Sequence, residues 1–377
     1  MRMHELLNAI RNDRAEMLQL LESLVNMDSP GTDKMLVDRL ARFVGPRFEA
    51  IGGRATYVSS DRFGDHLVAR FGGEGNGRVL LLGHTDTVFA AGEAAKRPFR
   101  IEGDRARGPG VFDMKAGIVL MWAAMRSLQR RGGIPRPATI LLTSDEELGS
   151  SSSRELIEKE AAAASAVLVL EPSLPGGALK TSRKGVGRFT VKVTGRAAHA
   201  GIDPERGINA IEEISHQVLE LQRLSNAERG VTVTVGVVAG GTRVNVVPAE
   251  AAVEVDVRIA SHEEAARITE VIRRLSPHLP GASLQVRGGI NRPPMERTAD
   301  TIRLFGIAKE IAAELGMKLD EGSTGGASDG NFTAALGIPT LDGLGAIGSG
   351  AHSPEEFVDV SSLPERAALI AGLIGRV

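Results

Sequence analysis

The chain has 377 residues, 45 lysines and arginines against 47 aspartates and glutamates, and no cysteine. At roughly 150 residues per domain this suggests two domains, and the missing thiols exclude disulfides, thiolate metal sites and a cysteine nucleophile. A formal net charge of −2, with one Trp and one Tyr, offers neither a basic field nor stacking platforms, so no nucleic-acid or membrane partner is expected.

From the N-terminus, Leu6, Leu7, Ile10, Met17, Leu18, Leu21 and Val25 recur at helical spacing. They predict one amphipathic helix rather than the unbroken apolar stretch of an export signal, so a cytoplasmic location is the expectation. Three short apolar runs follow, at 79–82, 140–142 and 167–170, with helical stretches near 115–130 and 154–164. Continuous apolar runs without alternation read as strands buried on both faces. The fold class is therefore α/β, with a mostly parallel central sheet flanked by helices.

The middle of the chain has another period. Val231, Val233, Val235 and Val237 alternate with polar or small residues, as do Val253, Val255, Val257 and Ile259. Each set predicts a strand with one buried face. With strands near 187–193 and 283–286 and helices near 208–224 and 263–275, the order is β-α-β-β-α-β, a ferredoxin-like α+β domain. We read it as an insertion over 183–291 into a discontinuous domain of 1–182 and 292–377, which resumes with a helix near 301–315.

Each apolar run leads to residues able to bind metal: Gly83-His84-Thr85-Asp86, Ser144-Asp145-Glu146-Glu147, and Glu171. Sites in open α/β sheets form beyond the carboxyl ends of the strands. Asp113, between a Gly/Pro-rich loop and a helix, and His352, in Gly350-Ala351-His352-Ser353, fit the same site. Two neutral imidazoles and the carboxylates of Asp113, Glu147 and Glu171 suit two Zn²⁺ ions sharing a carboxylate. One of the adjacent pair Glu146 and Glu147 can bind metal while the other carries a proton. Asp86 is placed to fix the tautomer of His84.

The motifs His84-Thr85-Asp86-Thr87-Val88, Gly110-Val111-Phe112-Asp113-Met114-Lys115-Ala116-Gly117, Asp145-Glu146-Glu147-Leu148-Gly149-Ser150, Glu171-Pro172-Ser173 and Gly350-Ala351-His352-Ser353 stand in order along the chain. Together they resemble the zinc deacylases and carboxypeptidases, a family holding acetylornithine deacetylase, succinyl-diaminopimelate desuccinylase, aminoacylase and bacterial glutamate carboxypeptidase. The resemblance covers nearly the whole chain. It implies one zinc on His84 and Glu171, the other on Glu147 and His352, with Asp113 bridging through a cis bond to Met114. Co²⁺ or Mn²⁺ would be substitutes. It makes Glu146 the general base, with Asp86 orienting His84.

The segment Gly195-Arg196-Ala197-Ala198-His199-Ala200-Gly201 resembles the family segment whose histidine reaches into the partner subunit's site. This implies that His199 stabilises an oxyanion, and that the inserted domain is a lid and makes a homodimer. The chain looks most like glutamate carboxypeptidase at Arg258, Asn245 and the Gly325-Gly326 segment, all implied to bind substrate. Arg258 could fork onto a substrate carboxylate or pair with Glu254 or Asp256 on its own strand. Lys184, in a basic stretch, reads either an acidic side chain or solvent. The expected reaction is amide hydrolysis releasing an amino acid, glutamate first, from an N-acyl, peptidyl or folate-like substrate. The alternatives are a deacylase for non-glutamyl substrates and a non-catalytic binding homologue. The last would be marked by loss of Glu146 or a ligand, and all are present.

Overall fold

The computed structural model describes residues 3–377. The chain divides into two compact units, one of residues 1–182, 297–323 and 328–377, the other of 183–296 and 324–327.

The first unit is built on a six-stranded sheet. Its strands are β1 (Arg54–Val58), β2 (His66–Phe71), β3 (Val79–His84), β4 (Ala138–Thr143), β5 (Ala166–Val169) and a short strand Thr340–Leu341. Their spatial order is β1-β2-β4-β3-β5 and then the short strand. β4, β3, β5 and the last strand run parallel, whereas β2 pairs antiparallel with both β1 and β4. Every residue of β3, β4 and β5 is buried. Helices including Ala116–Arg130 and Leu363–Arg376 supply the apolar side chains that cover the sheet.

The single helix expected at the N-terminus is two, Met3–Asn12 and Arg14–Val25. Asn and Asp are weak helix formers, and the Asp13 carboxylate is engaged by Arg130 at 3.1 Å. The break turns both apolar stripes, Leu6 with Ile10 and Met17 with Leu21, into the core. No helix among the described residues is long and apolar enough to cross a membrane.

The second unit is an antiparallel sheet of β6 (Gly185–Thr194), β7 (Thr232–Gly240), β8 (Glu250–Ile259) and β9 (Ser283–Arg292), in the order β7-β8-β6-β9. Helices Ala210–Gln222 and His262–Arg273 fill the connections β6–β7 and β8–β9. This is the ferredoxin-like arrangement. Asn209 and Ser261 cap the two helices through their side chains, satisfying first-turn amides. Alternation in β8 buries Ala251, Val253, Val255, Val257 and Ile259.

β7 departs from its predicted pattern. A register shift against β8 falls between Val235 and Val237. An extra residue there reverses the phase of the side chains, so Val237 is exposed rather than buried with Val231 and Val233. The expected return at 292 also differs. β9 runs to Arg292, and Met295 exchanges backbone hydrogen bonds with Arg183. Both contacts keep the chain in the second unit until Glu296.

Candidate metal centre

Three buried strands of the first unit deliver polar side chains at their carboxyl ends. β3 ends on His84, β4 leads into a helical turn Glu146–Leu148, and Glu171 follows β5. Two loops complete the set. The turn Val111–Lys115 carries Asp113, and His352 lies in the loop joining strands Gly348–Ser349 and Phe357–Asp359.

His84 Nε2 is 3.3 Å from Asp113 Oδ1 and 3.4 Å from Glu171 Oε1. His352 Nε2 is 3.2 Å from Asp113 Oδ2 and 3.2 Å from Glu147 Oε1. Asp113 therefore shows one carboxylate oxygen to each imidazole, at the seam of two three-residue groups. Ligating atoms of His84, Glu146 and Glu171 also lie within 4.8 Å of one another. Glu146 thus faces the same space as the ligand set.

The donors fit divalent cations on chemical grounds. Imidazole nitrogen with carboxylate oxygen suits first-row metals such as zinc. Glu147 Oε1 is buried and has no hydrogen-bond partner, with His352 Nε2 in ionic contact at 3.2 Å. A buried acceptor left this way carries a desolvation cost of about 1–3 kcal/mol or more, which a cation would offset.

The electrostatics agree. Burial alone would depress the pKa of His84, but hydrogen bonds with Asp113, Asp86 and Glu171 raise it well above the ordinary histidine value. Close contact with the Asp113 and Glu147 carboxylates pushes His352 up to about 10. Burial tends to raise Asp113, yet the two histidines hold it below the ordinary carboxylate value. Burial raises Glu147. Concentrated carboxylate charge draws positive charge onto the imidazoles, and the same field attracts cations.

The ligand turns are braced from behind. The Asp86 carboxylate accepts from the backbone N–H of Glu146 at 3.2 Å and of Glu147 at 3.0 Å. His84 Nδ1 is 2.9 Å from the backbone oxygen of Asp86, nearer than the 3.4 Å to its carboxylate. Asp86 therefore meets His84 through its main chain as well, and its carboxylate holds the Glu146-Glu147 turn. Asp329 accepts from Thr143 Oγ1 at 2.9 Å and from Ser150, on either side of that turn. The Asp113–Met114 peptide is cis, as the resemblance implied. Met114 packs where Gly83 and Gly117 lack side chains. A Cβ would lie 2.4 Å from its Cε at Gly83 and 2.6 Å at Gly117.

The remaining predicted residues belong to the second unit, in two groups. His199 and Asn245 lie 46 positions apart but on paired loops. His199 bridges Val246, and Ala200 N–H donates to Asn245 O at 3.1 Å. Both residues are exposed. Arg258, Lys184, Gly325 and Gly326 form the other group. Arg258 spends Nε and Nη2 on Asp256, at 2.8 and 3.1 Å, and its Nη1 is 3.5 Å from Gly325 O. The strand-face pairing weighed for Arg258 is thus present in the structure. Lys184 N–H donates to Thr324 O at 3.0 Å.

Sequence reasoning passed over three residues here. Buried Arg183 donates to Gly326 O at 3.1 Å, and the basic stretch 180–185 was its signal. Asp329, three residues past Gly326, was given no role. Glu356, four residues past His352, accepts three backbone hydrogen bonds from the Asp113 turn. No side-chain motif marks that contact.

A carboxylate and imidazole cluster at the strand ends of an α/β sheet, with a further glutamate facing it, defines a metallohydrolase. The chain belongs to peptidase family M20/M25/M40, whose model matches residues 80–376. Carboxypeptidase G2 of Pseudomonas sp. (strain RS-16) is 33% identical, over 98% of this chain and 91% of its own length. Acetylornithine deacetylase of Pasteurella multocida is 26% identical, over 92% and 91%. Among solved structures, aminopeptidase PepT from Bacillus cereus superposes with a TM-score of 0.78 at 22% identity, covering 96% of this chain and 98% of its own.

Proposed function

We propose that the protein is a two-zinc carboxypeptidase that releases a C-terminal acidic residue, glutamate first, from an N-acyl or peptidyl substrate. The observation that carries the reading is the placement of Asp113, one oxygen toward His84 and the other toward His352, with Glu146 facing the same space. His84, Asp113 and Glu171 would hold one ion, and His352, Asp113 and Glu147 the other. Bound cations would supply Lewis-acid polarisation of the scissile carbonyl and acidify water.

The chain's own groups handle protons and charge. Glu146 accepts the proton of the attacking water as its oxygen bonds to the carbonyl carbon. It then returns that proton to the leaving nitrogen as the C–N bond breaks. Asp86, through the amides of Glu146 and Glu147, keeps the base aimed. The partner subunit's His199 donates to the oxyanion, with Asn245 beside it on the paired loop. Arg258, oriented by Asp256, recognises the substrate carboxylate with Lys184 and the Gly325-Gly326 backbone.

A homodimer through the second unit fits the exposed edge. β7 is a terminal strand of its sheet and exposes Val237 and Val238, while Leu219 is exposed on the helix Ala210–Gln222. An open apolar edge favours a second copy.

Glutamate is favoured by the near full-length identity to carboxypeptidase G2. The acetylornithine deacetylase match keeps deacylation of other N-acyl amino acids as the second reading. A panel of N-acyl-glutamates, a folate analogue, acetylornithine and acetylated neutral amino acids separates them. Zinc-reconstituted enzyme should prefer the glutamyl compounds by at least about tenfold in kcat/KM, and chelation should abolish turnover. Equal rates across the panel defeat the glutamate assignment, and undiminished turnover after chelation defeats the metal mechanism.

A further inference from the structure

Glu356 is fully buried, yet it belongs to none of the ligand groups. Its carboxylate faces backbone instead. Oε1 accepts from the N–H of Phe112 and of Asp113, both at 2.8 Å, and Oε2 accepts from the N–H of Gly110 at 2.9 Å. Three converging donors call for acceptors on both oxygens, which a carboxyl group provides. An amide in its place would turn an N–H₂ toward one of them. Burying a carboxylate is costly without such partners, so the three amides stabilise Glu356 where it lies.

The two ends of the contact both bear ligands. One is the amide of Asp113 itself. The other is the loop of His352, four residues before Glu356, which is closed by Ser353 N–H to Gly350 O at 3.0 Å and Glu356 N–H to Ser353 O at 3.2 Å. His352 has a left-handed φ of 63°, so its loop has little freedom to adjust independently. The strand pairs Phe357–Arg107 and Val358–Ala106 seat the next residues on the segment that leads into the Asp113 turn.

We infer that Glu356 is a positioning residue. By gripping the Gly110, Phe112 and Asp113 amides from the loop of His352, it sets Asp113 and His352 in register and so governs cation affinity. The inference rests on reading Asp113 and His352 as cation ligands. Groups behind a metal ligand typically change affinity by roughly 10–100-fold when removed.

The test is a Zn²⁺ titration of the full-length protein against a competing chelator, for wild type, Glu356→Ala and Glu356→Gln, with circular dichroism on each. The expected result is affinity lowered roughly 10–100-fold in the alanine variant and less in the glutamine variant. Excess Zn²⁺ should restore kcat with KM unchanged, a rescue that general loss of structure does not give. Folded variants that bind Zn²⁺ within twofold of wild type overturn the inference. Wild type that binds no Zn²⁺ overturns the ligand assignment instead. Should both variants fail to fold, amide exchange in wild type decides. The amides of residues 110, 112 and 113 should stay protected before and after chelation, and exchange at loop rates would refute the grip.

Discussion

The two units offer most of their functional groups in opposite ways, with His352, exposed on a loop of the first unit, the exception. In the first, His84, Glu146 and Glu171 are each less than a tenth exposed, on strand ends braced by Asp86 and Asp329. In the second, His199 and Asn245 stand exposed on paired loops, held to each other by main-chain hydrogen bonds. Rigid support suits groups that must hold cations and move protons within fractions of an ångström. Loop residues suit groups that are completed by a substrate or a second subunit. Changes in the first unit should therefore strike cation binding and proton transfer, and changes in the second the completion of the site by oxyanion, substrate and partner contacts.

The sharpest way to break that division is Glu146→Gln. The amide cannot take the proton, so kcat should fall by about 10²–10⁴-fold or more, with two cations still bound by elemental analysis. Wild-type turnover in that variant removes Glu146 from the mechanism.

His199→Ala should follow, with kcat down by about 10²–10³-fold and cation content unchanged. Altered metal affinity there would show that the two units are not independent. Mixing separates the source of the histidine. Chains carrying Glu146→Gln and chains carrying His199→Ala, refolded together, should recover about a quarter of wild-type activity, since half the dimers are mixed and each has one complete site. No recovery assigns His199 to its own subunit's site.

The smallest effect is on stability in acid and involves the first unit alone. Burial would raise the pKa of Asp65, but its hydrogen bond and charge pairing with Lys34, its backbone bond and the charge of Arg42 together lower it. Lys34 Nζ and Arg42 Nη2 lie 2.7 and 2.6 Å from its oxygens. A lowered folded pKa adds stability that is complete above the unfolded carboxylate value and disappears as pH falls through the folded value. Wild type should thus exceed Asp65→Asn in urea midpoint at neutral pH and converge with it in acid. A constant gap across the series would rule out titration of Asp65 as the source.

How much of this was legible depended on what each residue recognises. β3, β4 and β5 were readable because strands buried on both faces must be apolar throughout, and their ligands followed at once in sequence. β2 was not, because His66 opens it as a buried polar residue, satisfied 3.0 Å from Ser144 Oγ and 3.1 Å from Ser152 Oγ. The phase reversal in β7 was hidden because a bulge is set by pairing with β8, not by the order Val235-Gly236-Val237. The clustered histidines and carboxylates proposed as ligands were marked by their type and order. Glu356 was not, since its partners are backbone amides and any sequence carries those. Asp86 was legible as a neighbour of His84, but its grip on the Glu146-Glu147 turn joins residues 60 positions apart.

The fit of Met114 against Gly83 and Gly117 bears on how such an enzyme can change. A side chain at either glycine meets the thioether, and trimming the thioether to make room would empty the space behind His84, whose N–H points at the sulfur from 3.2 Å. Gly83 can vary only together with Met114, and Gly117 not even then, because a Cβ there would also lie 2.4 Å from the Leu170 backbone oxygen. Val244, fully exposed on the loop beside Asn245, faces no such lock. A lineage or a laboratory seeking a new substrate for this catalyst has free ground on the loops of the second unit and almost none beneath its metals.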